Sequence, residues 1–217
     1  MKTALSFQKI LWIFFAFIAM MILARCIYAG KYGYMFLIWN LFLAWVPFTI
    51  STLFKKMNSA GKWKQVMIFC AWLLFFPNAL YIVTDLIHLD AESNVPKWFD
   101  AVLLFSCSIA GLLMAFVSIL RLEIFLSDKF KSIKVQAIIL FIFFISSFGV
   151  YLGRFLRWNS WDILSNPFAL LYSIAQRFIF PFQHLQTWTV TCTLTALFYL
   201  LFLAIKKLPG YLNQAIQ

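Results

Sequence analysis

Six stretches of the chain are almost continuously apolar: 10–29, 34–54, 63–83, 98–122, 135–152 and 185–205. A helix crosses the hydrocarbon layer with about 20 residues, and only helices and closed barrels satisfy their backbone groups there. Barrel strands alternate apolar and polar positions over about ten residues, and these runs do not. The pattern predicts an all-α, polytopic membrane bundle of six transmembrane helices, forming a single integral-membrane domain over 1–217. A shorter segment, 167–180, opens on Asn166-Pro167 and stops before Pro181. It is too short to span, so it is expected as an interfacial or re-entrant helix.

Composition strengthens the membrane reading. Hydrophobic residues make up 64% and charged residues 12%, with 27 phenylalanines and 9 tryptophans. A soluble core of this size cannot hide so much apolar surface, and disorder, collagen and disulfide scaffolds are excluded as well. Lys2 and Lys9 before the first span imitate a signal peptide, but no A-x-A site follows, and an uncleaved first helix is expected. Cys26, Cys70, Cys107 and Cys192 stand one per span without CxxC spacing and are expected to be buried structural thiols.

Charge sets the expected orientation. Lys2, Lys9, Lys55, Lys56, Lys62, Lys64, Arg121, Lys129, Lys131, Lys134, Lys206 and Lys207 would fall on one side, against Arg25, Lys31, Lys97, Arg154, Arg157 and Arg177 on the other. Five of the seven acids accompany the smaller set. The positive-inside rule then puts both termini in the cytoplasm. The basic excess is a topology signal, with no nucleic-acid motif and no nucleic-acid partner expected.

Polar chemistry collects on the expected outer side. In Phe75–Leu89, Pro77 should kink the third helix by removing the bond to the Leu73 carbonyl. Beyond it, Asn78, Tyr81, Asp85, His88 and Glu92 recur at helical steps of three and four, in one stripe. The stripe is either a solvated helix end or the lining of a pocket. Pro-Asn at depth favours the pocket, since charge in hydrocarbon costs at least ~2.5–3.5 kcal/mol.

A second run, Gly149–Asp162, carries Arg154 and Arg157 one turn apart, followed by Trp158, Asn159, Trp161 and Asp162. Paired guanidiniums beside tryptophans suit a phosphate or carboxylate, or else anchor the helix at the headgroups. Asn159 can cap a new helix with Asp162 at its third position. Gly149 and Gly153 form a G-x-x-x-G pair for close helix approach. Cys107, Gly111 and Ala115 make a small-residue packing face. The alternating threonines 187–195 are expected to bond backbone one turn earlier. Asn40 and Pro47 interrupt the second span, and Arg25 either reaches the interface or pairs with Asp85. The two polar runs are expected to meet in one outward-facing site, with Asp85 paired to Arg154 or Arg157.

The segments FFPNALYIVTDLIHL and YLGRFLRWNSWDIL, with WNLFLAWVPF (39–48), resemble the signature segments of a bacterial integral-membrane family known as a domain of unknown function. Leu80 departs from the pattern, where a proline or another small residue is expected. The resemblance covers most of the chain. It implies a multi-pass protein of the bacterial cytoplasmic (inner) membrane and no established activity.

No nucleophile elbow, P-loop, dinucleotide fingerprint or HExxH pair occurs, and neither a metal nor a cofactor is expected. Three function classes fit. The first is a binding protein whose pocket (Asn78, Tyr81, Arg154, Arg157, Trp158, Asn159, Trp161, Asp162) holds an anionic lipid headgroup, a lipid-linked substrate or a membrane-protein partner. In the second, a transferase or hydrolase acts on a lipid-linked or lipoprotein substrate, with His88 as general base and Asp85 as its orienting carboxylate. The third is a small-molecule transporter, for which a homodimer is one assembly open to the chain. The absence of a detectable inverted repeat argues against the third.

Overall fold

A computed structural model describes residues 6–90 and 94–215, and every element in it is helical. Lys2 and Glu92 lie outside the described residues. The α-helices are α1 (Phe7–Ala29), α2 (Phe36–Ile50), α3 (Lys62–Tyr81), α4 (Lys97–Ser127), α5 (Ser132–Leu156), α6 (Asp162–Ser165), α7 (Pro167–Ile179) and α8 (Leu185–Ala215). Tight 3-10 turns continue α2 over Ser51–Ser59 and α3 over Ile82–Asp90, and lead into α8 over Pro181–His184. Six continuous stretches are long and apolar enough to cross a membrane: Phe7–Ala29, Phe36–Met57, Lys62–Leu89, Lys97–Ser127, Ser132–Leu156 and Pro181–Ala215. The chain is a multi-pass, all-α membrane protein.

The fold divides into two units. One comprises Met1–Leu53 with Trp63–Ser118, the other Phe54–Lys62 with Ile119–Gln217. In the first, α1 starts at the Ser6 cap and ends where Gly30 turns left-handed (φ 62) and returns its amide to the Cys26 carbonyl. Its core gathers Ile18 and Ile22 of α1, Leu37 of α2, Ile82, and Leu103, Leu104 and Cys107 of α4. Three of its helices share one hydroxyl. The Trp72 indole donates to Ser118 Oγ at 2.6 Å, and Ser118 donates to the Pro47 carbonyl at 3.3 Å. The second span is thereby tied at Pro47 to the third and fourth through one buried polar chain.

In the second unit, α5 and α8 form the main pairing. Phe143 packs on Tyr199 and Phe202, and Phe148 packs on Trp188, so residue numbers rise along one helix as they fall along the other. The pair is antiparallel. At one end Glu123 accepts from Lys206 and from Gln136 (2.6 Å), which neutralises a buried carboxylate. The helix α7, about 20 Å long, is too short to span. It starts on Pro167 as the sequence predicts and buries Leu170 and Arg177 while exposing Phe168, Leu171 and Tyr172.

Three expectations need correction. Only Cys107 is buried; Cys26 is half-buried, and Cys70 and Cys192 are exposed. A helix surrounded by lipid needs no polar outer face, so apolar sequence does not mark which thiols face inward. Among the threonines, Thr195 bonds back to the Thr191 carbonyl (2.6 Å), but the Thr187 and Thr191 hydroxyls do not. Arg25, expected to reach the interface or to pair with Asp85, is 4% exposed and bound to Asp100, an acid the sequence reading did not pair with it.

Candidate functional site

The third span changes pitch where its chemistry begins. Helix α3 runs through Pro77 to Tyr81, and from Ile82 to Asp90 the chain winds at three residues per turn. Positions three apart then eclipse, so Ile82, Asp85 and His88 share a face. A constant α-helical pitch would instead align Asn78, Tyr81, Asp85 and His88. Asp85 and Ile82 are fully buried, whereas Asn78, Tyr81 and His88 are half-buried.

The change of pitch alters the local backbone bonding, and nearby side chains meet the carbonyls. Asn78 donates to the Phe75 carbonyl (3.0 Å), Thr84 to Tyr81 (2.6 Å), Ser108 to Ile82 (3.3 Å), and Tyr34 to His88 (2.9 Å). This accounting explains why so many polar side chains crowd an apolar span. The Asp85 carboxylate, 1% exposed, accepts from the Asn40 amide of α2 at 2.7 Å. The His88 ring stands edge-on to Phe36, with centroids 5.0 Å apart.

Beside it sits a bidentate ion pair. Arg25 Nε donates to Asp100 Oδ1 at 2.7 Å and a terminal nitrogen to Oδ2 at 2.9 Å, both side chains being nearly sealed. The guanidinium carbon lies 3.5 Å from the centroid of the Tyr34 ring. Tyr34 thus touches the ion pair with its face and the 3-10 segment with its hydroxyl.

The second polar run belongs to the second unit. Helix α5 ends on Arg157, which adopts φ 60 and is the one non-glycine residue with positive φ among the described residues. Its amide and that of Trp158 both donate to the Leu152 carbonyl. Arg154 is half-buried and Arg157 exposed. The loop beyond is clamped by Asp162, whose Oδ2 accepts from the Asn159 amide at 2.6 Å and whose Oδ1 accepts from Ser165 at 3.0 Å. Asn159 and Asp162 are joined, but Asn159 is not the cap expected of it: α6 begins at Asp162 behind Trp161, with no side-chain cap bond. The Asn159 backbone bond, with help from Ser165, holds the Asp162 carboxyl below the usual carboxylate range. The clamp is present at neutral pH and is lost as the pH falls through that lowered value. Trp158 packs half-buried against Phe148, Tyr151, Leu152 and Leu170, while Trp161 is exposed.

Sequence reasoning singled out Asp85 and the Arg154–Asp162 run as candidates but missed Asp100, Tyr34 and the bond between Asn40 and Asp85. Asn40 left a signal as a lone amide inside the second span. Asp100 left none, since an acid in the first turn of a helix is ordinary.

No curated protein and no solved structure matches the chain. A family model described as "Protein of unknown function (DUF1361)" matches residues 39–201, which include all three segments singled out in the sequence and leave out α1 with Arg25. That match spans most of the 217 residues, and the chain belongs to this family of unknown function.

Proposed function

We propose that the protein is a bacterial inner-membrane binding protein that holds an anionic headgroup, of a lipid or a lipid-linked substrate, on its outward face. The observation that carries this reading is the backbone of Arg157. A left-handed non-glycine residue costs about 1 kcal/mol, and such strain persists where the side chain matters. Glycine would end α5 without that cost. Arginine there keeps a second guanidinium one turn from Arg154 and beside Trp158, on a loop that Asp162 clamps. Arg157→Gly separates capping from binding: it should leave stability unchanged or raise it by up to about 1 kcal/mol, yet weaken retention of phosphatidylglycerol. Arg154→Gln with Arg157→Gln should weaken retention further. Unchanged retention in both variants, measured by mass spectrometry of the purified protein, would refute the reading.

The outward assignment rests on the twelve-to-six division of Lys and Arg and on an even number of crossings. Single cysteines at the Asn58 and Asn94 positions, in a background with the four native cysteines replaced, should react with a membrane-impermeant maleimide from opposite sides. The Asn94 position should react in whole cells. Labelling of both from one side would overturn the orientation.

A second reading, an intramembrane transferase or hydrolase on a lipid-linked substrate, draws its support from Asp85. A carboxylate sealed from solvent inside a membrane span is placed as acids that handle protons are. In that reading His88 remains the base and Asp85→Asn abolishes turnover while leaving the fold intact.

A further inference from the structure

Among the described residues, the buried side-chain nitrogens and oxygens without a hydrogen-bond partner belong to six residues, and all lie in the second unit: Ser146, Ser147, Arg177, Thr187, Trp188 and Thr191. Native interiors leave few such groups, and in a lipid-embedded unit no bulk water offsets them. The aromatic contacts bring them to one level. The rings of Phe148 (α5), Phe178 (α7) and Trp188 (α8) pack mutually, with centroids 5.0–6.0 Å apart. The residue preceding each ring, respectively Ser147, Arg177 and Thr187, carries one of the unpaired groups.

Arg177 decides the chemistry. It is 8% exposed, its Nε has no partner, and one terminal nitrogen donates to the Ser173 carbonyl of its own helix. No carboxylate pairs with it among the described residues. Glu123 is held by Lys206 and Gln136, and Asp162 by Asn159 and Ser165. A guanidinium this deep needs a counter-charge. Hydroxyl donors on two further helices favour an oxyanion that accepts from several directions over a planar carboxylate.

We propose that the second unit holds a phosphate group at a buried site where α5, α7 and α8 meet, with Arg177 as its cationic ligand and Ser147, Thr187 and Thr191 as hydroxyl donors. This site is separate from the Arg154–Arg157 turn. Apolar residues next to Arg177 and shortly before Thr187 in the chain, Phe178, Ile179 and Phe182, are exposed, which suits a phosphate carried on a lipid.

The test uses the full chain in dodecyl maltoside and phosphate-free buffer. Its thermal midpoint is followed while adding phosphatidylglycerol, the matching diacylglycerol, or inorganic phosphate. Phosphatidylglycerol should raise the midpoint and diacylglycerol should not; a rise with inorganic phosphate alone assigns the same site to free phosphate. Arg177→Gln should weaken the apparent affinity about tenfold or more, with a smaller loss for Thr187→Val/Thr191→Val. Repeating the titration in Arg154→Gln/Arg157→Gln separates this site from the surface turn, because the Arg177-dependent shift should survive there. A wild-type protein that responds to neither phosphate source, or a shift undiminished by Arg177→Gln, would overturn the proposal. Should Arg177→Gln fail to fold, the threonine variant carries the test, and a wild-type response from it has the same consequence.

Discussion

Asp100→Ala is expected to lower the stability of the protein by about 3–5 kcal/mol, a large share of the roughly 5–15 kcal/mol that holds a typical domain folded. The change removes the bidentate acceptor of Arg25 and leaves a guanidinium that is 4% exposed with the face of Tyr34 beside it. Cation–π attraction of this kind supplies on the order of 2 kcal/mol and carries no counter-charge, so it does not replace a carboxylate. Arg25→Ala should cost a similar amount by orphaning Asp100. The double change Arg25→Met/Asp100→Leu should recover most of the loss, because well-packed apolar side chains commonly equal or exceed a buried pair. Denaturant midpoints followed by tryptophan fluorescence give the double-mutant cycle directly. Independent, additive losses would mean that the two side chains do not act as a pair.

That pair also shows where sequence reading stops. The sequence offers Arg25 two carboxylates near one end of the spans, Asp85 and Asp100. Nothing in charge or spacing chooses between them. The fold brings Asp100, in the first turn of α4, onto Arg25 at the end of α1, and brings Asn40 onto Asp85, forty-five positions away in the chain. Long-range partners of this kind leave no periodic trace, whereas Asp85's own burial does, because a charged residue recurring at helical steps within an apolar run must turn inward.

The six spans were legible because the length of an apolar run is fixed by the bilayer. Their inward faces were not. In a soluble helix the polar side identifies the buried one, but Cys70 on an exposed face and Cys107 on a sealed one sit in equally apolar sequence. Pro77 announced an irregularity without giving its form. The pitch changes five residues later, at Ile82, and the tighter winding places Ile82 in line with Asp85. The unpaired hydroxyls of Thr187 and Thr191 were hidden for a related reason: a threonine in an apolar helix ordinarily bonds its own backbone, as Thr195 does, so composition cannot single out those that do not.

Gly111→Ala should destabilise the first unit by about 1–3 kcal/mol, although alanine is the better helix former by up to about 1 kcal/mol. A Cβ at position 111 would lie 2.2 Å from Ile82 Cγ2 and 2.8 Å from the Ala79 carbonyl oxygen. The isoleucine methyl can rotate away only into a sealed core, and the carbonyl belongs to the backbone at the end of α3, so α4 would have to back off. Overpacking therefore outweighs propensity. Gly210→Ala in α8 supplies the contrast, since a Cβ there meets nothing within 4 Å and should leave the protein as stable or more so. Ile82→Ala combined with Gly111→Ala should relieve the methyl clash but not the carbonyl one, and recover only part of the loss. Because Ile82 and Asp85 are successive residues on one face of the 3-10 segment, displacing Ile82 should also loosen the Asp85–Asn40 bond. Gly111→Ala is then expected to impair whatever activity depends on Asp85 by more than its stability loss alone accounts for. Thermal midpoints that place Gly111→Ala level with Gly210→Ala would show that α4 does not approach α3 as closely as these distances require.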